Sequence, residues 1–346
     1  MINFAKQIYR FVFPKALREK ITYAREWGSV WANYQLFRSA LINRFYRTGI
    51  RPKAVFIEVA NICNARCVFC AYPDMKRQKK TMSLPLFKKS IDDCLAGDIT
   101  EVDLTPIVGD PFMDSGIFDK LDYLSRAPGI TRFHFYTNAI LLRSGYADRL
   151  TAYDARFWIF CSFGGFSRET YRKIMGVDKF EEATANIRYL IERKLQTGSG
   201  IRIHVSLRVP RGSEHGEFWE YLKDKRSRGA VEISSVEEFD NWGGRIPDSK
   251  LLAAGLVPKL PPNHRGVCRR LLTGPVILAD GRVNACCCRD AEATLIIGDV
   301  TREPLMDILA GQKLREVLRR LEKGDFPDIC KKCTKYQSLR DGVVDD

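Results

Sequence analysis

No stretch of this sequence runs through about 18 uninterrupted apolar residues, the length a helix needs to cross a bilayer, so a spanning helix is not expected. A secretory signal is not expected either. The first apolar stretch is broken by Lys6 and Arg10 and lacks a small-residue cleavage site. Zinc-finger, RNA-recognition and helix-turn-helix patterns are missing, which argues against nucleic acid as a partner. The 11 cysteines are not spread as disulfide partners would be. They are clustered, which fits thiols kept reduced for metal in a cytoplasmic setting. What is present is ordinary for a globular chain: 346 residues, 45% apolar and 28% charged, enough for one large domain or a domain with a smaller module. The net charge of +14 would steer anionic substrates, nucleic acid or anionic lipid toward the surface. Because Lys and Arg are scattered over the whole length, a merely solvated basic exterior is the alternative.

The densest cysteine group is Cys63-Asn64-Ala65-Arg66-Cys67-Val68-Phe69-Cys70, directly after the apolar run Val55-Phe56-Ile57-Glu58-Val59-Ala60. Three thiols on one short loop leaving a strand can wrap an iron–sulfur cube and give it three thiolates, whereas a cube held by protein alone takes four. One iron is then open to a ligand that is not protein. Zinc is the main rival, but a closed structural zinc site needs four protein ligands, commonly as separated pairs. Cysteines packed as small hydrophobes are the remaining alternative.

This loop, with Phe69 before its third cysteine, resembles the signature of the radical S-adenosylmethionine (radical SAM) enzymes. The resemblance implies a [4Fe–4S] cluster whose open iron is chelated by the amino and carboxylate groups of SAM. It further implies one-electron cleavage of the sulfonium, and a 5′-deoxyadenosyl radical that removes a substrate hydrogen. An electron donor such as flavodoxin or ferredoxin is the partner this chemistry implies.

Residues 1–50 form a basic, aromatic leader in which Phe4, Ile8, Phe11, Val12, Trp27, Val30, Trp31, Tyr34, Phe37 and Leu41 predict two or three helices broken near Pro14. Its cationic side, with Lys6, Arg10, Lys15 and Arg18, could rest on a membrane surface. A helical lid across the next domain is the preferred reading. From 51 to 255 strands and helices alternate, with strands expected near 54–60, 101–106, 131–137, 156–162, 201–208 and 230–235. Six such units give an α/β fold, a partial, open (β/α)6 barrel of the TIM type, with active groups at the C-terminal ends of the strands.

Along these strand ends the resemblance names further residues. Gly109, Asp110 and Pro111 match the last part of the family's Gly-Gly-Glu segment, which holds the SAM amino group, with Val108 in place of the first glycine. Thr137-Asn138-Ala139 resembles its Thr-Asn-Gly segment, which implies hydrogen bonds from Thr137 and Asn138 to the methionine carboxylate or ribose; capping the next helix is the alternative. Ser162 matches the ribose-contacting serine of a Ser-x-Asp-Gly stretch, although Gly164 stands at the acidic position. Strand alternation turns Cys161 toward the helical layer, and Cys94 shares a helical stripe with Phe87 and Ile91, so both are expected in the core. Arg208 could pair with a carboxylate or phosphate, or form a surface salt bridge. Glu237, Glu238, Asp240, Asn241 and Trp242 on the barrel mouth are candidates for substrate contact, and 256–262 reads as a linker.

Residues 256–346 form a second, small α+β module. It contains Cys268, the triplet Cys286-Cys287-Cys288, Cys330 and Cys333, a β-hairpin turning at Asp280-Gly281, and a helix over about 304–322. The arrangement resembles the auxiliary-cluster module of the SPASM/Twitch subgroup. That resemblance implies Cys268, Cys286, Cys330 and Cys333 as four ligands of a second [4Fe–4S] cluster, hence two clusters and not three; zinc on the same thiols is the alternative. Cys287 and Cys288 are then candidate hydrogen donors to a substrate radical. The implied activity is dehydrogenation or epimerisation of a small-molecule or sugar-related substrate. A peptide- or protein-modifying maturase is the rival enzyme, and a non-catalytic metal- or nucleic-acid-binding protein is the rival from another class.

Overall fold

Six short parallel strands carry the chain's most apolar alternation. They are β1 (Ala54–Ile57), β2 (Glu101–Asp103), β3 (Arg132–Thr137), β4 (Phe157–Phe163), β5 (Arg202–Leu207) and β6 (Glu232–Ser235). The computed structural model describes residues 52–105, 107–287 and 289–338; the leader over 1–50, with its lid and membrane readings, and Cys288 lie outside them. Phe133, Phe135, Phe157, Ile159, Cys161 and Phe163 on β3 and β4 are completely buried under helices. The residues between them, His134, Tyr136, Trp158, Phe160 and Ser162, are only half-buried on the other face. A closed parallel sheet buries both faces. Here the inner face keeps exposure because the barrel is open.

The strands neighbour one another in chain order, β6-β5-β4-β3-β2-β1, all parallel. Between them run α1 (Leu84–Ala96), α2 (Ile117–Arg126), α3 (Ser144–Leu150), α4 (Arg168–Met175), α5 (Phe180–Thr197) and α6 (Glu217–Ser227). Serines open two of these helices: Ser83 accepts from Leu86 N at the start of α1, and Ser167 from Thr170 N at the start of α4. Cys94 and Cys161 are completely buried, as alternation and the helical stripe require.

Past the short α7 (Asp248–Ala253), the run 256–262 is more fixed than a linker. Phe239 N donates to Val257 O and Lys259 N to Phe239 O, both at 2.8 Å, and Leu256 is buried. The C-terminal part adds α8 (Arg270–Thr273), β7 (Val276–Ile277), β8 (Arg282–Asn284), β9 (Ile296–Asp299), α9 (Leu305–Leu309), α10 (Gln312–Glu322) and α11 (Asp328–Lys331). The expected hairpin is β7–β8, and Gly281 at its turn has φ +93°. β7 pairs in parallel with β1, Phe56 opposite Val276, so the hairpin and β9 continue the barrel sheet to nine strands. The helix expected over 304–322 is two helices, broken at Ala310-Gly311, where Ala310 N closes on Met306 O. No described helix is long and apolar enough to cross a membrane.

Candidate active site

The three-thiol loop begins just beyond β1 and is held by backbone bonds rather than by its own secondary structure. Arg66 N donates to Met175 O at 3.0 Å and Val68 N to Ile174 O at 2.9 Å, tying the loop to the last turn of α4. That approach needs Gly176, which ends α4 at φ +70° and whose hypothetical Cβ would lie 2.3 Å from Arg66 O. Trp242 Nε1 donates to Phe69 O at 2.7 Å, and the Phe69 ring packs 5.6 Å from that of Phe239. Cys70 N closes on Cys67 O at 3.2 Å. Burial, and secondly the charge of Asp110, pushes the Cys63 thiol up to about 12; burial also raises Cys67 and Cys70. Such thiols stay protonated until a cation arrives.

The ends of β2 and β3 meet at Asp110. Its buried carboxylate accepts from Phe112 N at 3.0 Å, from Thr137 Oγ1 at 2.8 Å and from Asn138 N at 2.9 Å. Burial raises its pKa against these three bonds. Gly109 does not leave room for a ligand so much as for the chain itself: at φ +118°, a Cβ there would meet Ala60 O at 2.1 Å, and Asp110 N donates to Ile62 O. Pro111 opens a 3-10 turn over Pro111–Met113. Asn138 does not cap the next helix, α3, which begins at Ser144 after Arg143. Its Oδ1 accepts from Ile140 N at 3.0 Å in the turn beyond β3, and its Nδ2 donates to Asn64 Oδ1 at 2.7 Å and sits 3.7 Å from Cys63 Sγ. Ala139 follows at φ +62°, the left-handed conformation of the glycine in the segment it resembles.

Gly109, Asp110, Thr137 and Asn138 line one cavity of about 460 Å³ at the C-terminal ends of the strands, together with Cys63, Cys67, Cys70, Phe69 and Ser162; Pro111 is not in its lining. Arg208 enters the same cavity with its guanidinium 5.4 Å from the centre of the Phe69 ring. Its Nε is buried without a hydrogen-bond partner, and its guanidinium pairs with no described carboxylate. Burial lowers its pKa. The surface salt bridge falls instead to Arg211, which meets Glu237 at 3.2 Å. Gly164 has no space for the acid of the family pattern: even a Cβ would lie 2.6 Å from Met175 Sδ. Alternation could have added Ser206, near the end of β5 and two residues before Arg208, which also lines the cavity. Asp103, 3.2 Å from His134 Nε2, was hidden by its place inside a strand. Nothing in the sequence pointed to Arg289 or Lys335, which reach the same cavity from the C-terminal part.

Cys268, Cys286, Cys330 and Cys333 line a second, smaller cavity, and Arg289 and Lys335 line it too. Cys287 is buried beside it, 2% exposed, and does not join the described lining of either cavity. Burial, then the charges of Cys268 and Cys333, raises Cys330. The donor sets fit cubes better than single ions. Zinc requires four ligand atoms about 2.3 Å from one point, and among the described residues no group of three or more Cys, His, Asp or Glu converges in that way. Three thiols beside an unpartnered arginine also suit a cluster completed by a small carboxylate-bearing ligand.

The family model described as "Radical SAM superfamily" matches residues 57–210, and that described as "Iron-sulfur cluster-binding domain" (SPASM) matches 268–334. A curated relative, the GTP 3′,8-cyclase of Desulforamulus reducens, is 24% identical over 193 residues, 54% of this chain and 57% of the relative. The chain thus matches little more than half of that relative's length. Among solved structures, BtrN in complex with AdoMet and 2-DOIA is 17% identical with a TM-score of 0.50, covering 83% of this chain and 94% of that one. Streptococcus suis SuiB bound to precursor peptide SuiA is 13% identical with a TM-score of 0.59, covering 86% and 74%. Both likenesses are of fold, the partial barrel with its C-terminal extension. The chain belongs to the radical SAM superfamily, in its SPASM subgroup, whose two domains imply [4Fe–4S] clusters and S-adenosylmethionine as cofactors.

Proposed function

We propose that this enzyme removes a hydrogen atom from a small, anionic, sugar-related substrate and oxidises it, with Cys63, Cys67 and Cys70 holding one cluster and Cys268, Cys286, Cys330 and Cys333 a second. With Cys63, Cys67 and Cys70 holding the first cluster, SAM bound beside it would supply the hydrogen-abstracting chemistry, and the second cluster would offer a sink for an electron. The chain's own part is placement. Asn138 steadies Cys63 from the side, and Asp110 fixes Thr137 and Asn138 at the strand ends. Ser162 and Ser206 present hydroxyls to the cavity, and Phe69 walls it.

The observation that carries the anionic reading is Arg208, a half-buried side chain on the cavity wall whose buried Nε has no partner. Leaving such a donor unsatisfied costs about 1–3 kcal/mol, which a carboxylate or phosphate in the cavity would relieve. Either the methionine carboxylate or the substrate's own anion fits that chemistry. Oxidation is preferred to epimerisation because it needs no thiol at the substrate, and Cys287, the one of the two candidate donors among the described residues, lies outside the cavity lining. Likeness to BtrN, whose structure is in complex with AdoMet and 2-DOIA, supports the small-molecule reading; likeness to SuiB, bound to precursor peptide SuiA, supports the peptide-modifying rival.

The test is anaerobic reconstitution with iron counting, then SAM and dithionite. About eight irons per chain and 5′-deoxyadenosine are expected; absence of 5′-deoxyadenosine from an iron-replete protein overturns the reading. Arg208→Met should weaken SAM binding or the binding of anionic substrates by tenfold or more. With a turned-over substrate in deuterium oxide, oxidation leaves carbon-bound deuterium absent, whereas epimerisation through a thiol incorporates it.

A further inference from the structure

Three consecutive residues of the loop after β6 bond to three separate segments. The Asp240 carboxylate grips Arg289 through Nε and, at 2.6 Å, through Nη2, and accepts Trp242 N at 3.1 Å. Asn241 N donates to Thr334 Oγ1 at 2.9 Å and Asn241 Nδ2 to Lys332 O at 2.8 Å, while Thr334 N returns a bond to Asn241 Oδ1 at 3.2 Å. Trp242 donates its indole N–H to Phe69 O, inside the three-thiol loop, and lays its ring 4.6 Å from the Arg289 guanidinium. The segment is tightly seated. Trp242 has φ +52°, and a Cβ on Gly243 would lie 2.2 Å from Ile329 Cδ1. Asp240 to Gly243 therefore fastens the loop of Cys63–Cys70 to the segments that carry Arg289 and Cys330–Cys333. Of the residues that sequence alone suggested for substrate contact, Glu238, Asp240 and Trp242 line the three-thiol cavity, while Asp240, Asn241 and Trp242 also make the fastening bonds.

We propose that Arg289, fixed by Asp240 and Trp242 in the wall shared by the two thiol cavities, sets the reduction potentials of both clusters. The inference rests on the reading that each thiol set holds a cluster. A fixed cation stabilises the more negative, reduced form of a nearby cluster and so raises its potential. Arginine keeps its charge in such a wall, and low local dielectric limits screening. Arg289 lines both cavities.

The experiment is an EPR-monitored redox titration of the full-length, anaerobically reconstituted protein, with iron content measured for each variant. Arg289→Gln is expected to move the midpoints of both clusters to more negative values, and Arg289→Lys to recover most of that shift. Asp240→Asn, which removes the neutralising carboxylate and leaves the guanidinium, is expected to move both midpoints the opposite way. This second variant decides the matter if Arg289→Gln fails to retain iron. Two clusters in the parent protein with either midpoint unchanged in the iron-replete variants overturns the proposal alone. A parent protein with one cluster overturns the two-cluster reading and this proposal with it.

Discussion

Both oxygens of the wholly buried Glu58 carboxylate are held by the Arg77 guanidinium, Nη1 to Oε1 at 2.9 Å and Nη2 to Oε2 at 2.6 Å. Glu58 follows β1 and Arg77 lies beyond the three thiols, so the pair closes the cysteine segment at its base. Arg77 continues outward, Nε to Ala291 O at 2.7 Å, and the backbone amides of Lys76 and Arg77 both donate to Glu292. Glu292 in turn pairs with Arg245 at 3.0 Å. Despite burial, which acts the other way, Glu58 holds the Arg77 pKa above its ordinary value.

Breaking this pair from one side leaves a buried charge uncompensated, which costs about 3–5 kcal/mol. Arg77→Met should therefore lower the stability of the apo protein by that amount in urea unfolding. Glu58→Gln combined with Arg77→Met should lose less than the sum of the single changes, because neither charge is then stranded. Additive losses would mean that the two residues act independently.

Two glycines let the cysteine loop approach its neighbours, and a third serves as their control. Gly109 and Gly176 combine positive φ with a Cβ position within 2.3 Å of a carbonyl oxygen, whereas Gly198, at φ +64°, has nothing within 4 Å of its Cβ position. Gly198→Ala should cost only the left-handed strain, about 1–2 kcal/mol. Gly109→Ala and Gly176→Ala should cost more and should reduce iron at the three-thiol site, measured by iron content and the EPR signal of the reduced cluster. Equal behaviour of all three variants would remove the close approach as the reason for these glycines.

Much of this architecture is legible in the sequence because alternation and turn chemistry are local. The period-two pattern of Phe133 to Thr137 and of Phe157 to Phe163 fixes both strand type and the facing of Cys161. The thiol spacing places the first site for the same reason. What stays hidden depends on long-range partners. Gly109-Asp110 reads as a ligand segment, yet Gly109 closes on Ala60 and Asp110 on Thr137 and Asn138, contacts across strand ends that no local pattern encodes. Arg289 beside a cysteine triplet gives no hint of Trp242 or Asp240, about 50 residues earlier in the chain.

The raised pKa of Asp110 carries a pH dependence of known sign. In the unfolded chain a carboxyl titrates near about 3.9, and burial lifts the folded value above that. The contribution of Asp110 to stability is thus greatest below the unfolded value and declines as pH rises toward the folded one. Asp110→Asn removes this titration and, with a single acceptor oxygen for three donors, costs about 1–3 kcal/mol. The stability gap between parent and variant should be widest near pH 3 and narrow toward pH 7, measured by urea unfolding across that range. A gap that widened with pH would show the ionised carboxylate to be the favoured buried form.

Within the cysteine triplet, the cavity separates neighbours that spacing alone leaves alike. Cys286 lines the cavity shared by Cys268, Cys330 and Cys333, while Cys287 turns into the core at 2% exposure. Buried Asn284 fixes the chain as it leaves β8: its Nδ2 donates to Cys286 O at 2.9 Å and its Oδ1 accepts from Leu295 N at 3.0 Å. Cys286→Ala should therefore cost about four irons per chain, as Cys268→Ala should, because a cube needs its full thiolate set. Both variants should still form 5′-deoxyadenosine from SAM and dithionite, since the three-thiol loop keeps its anchors to Met175, Ile174 and Trp242. Cys287→Ala should keep its iron and lose only packing, about 1–2 kcal/mol for a small buried side chain. The reverse result, iron lost with Cys287 and kept with Cys286, would overturn the assignment of Cys286 to the thiol set of the second cavity.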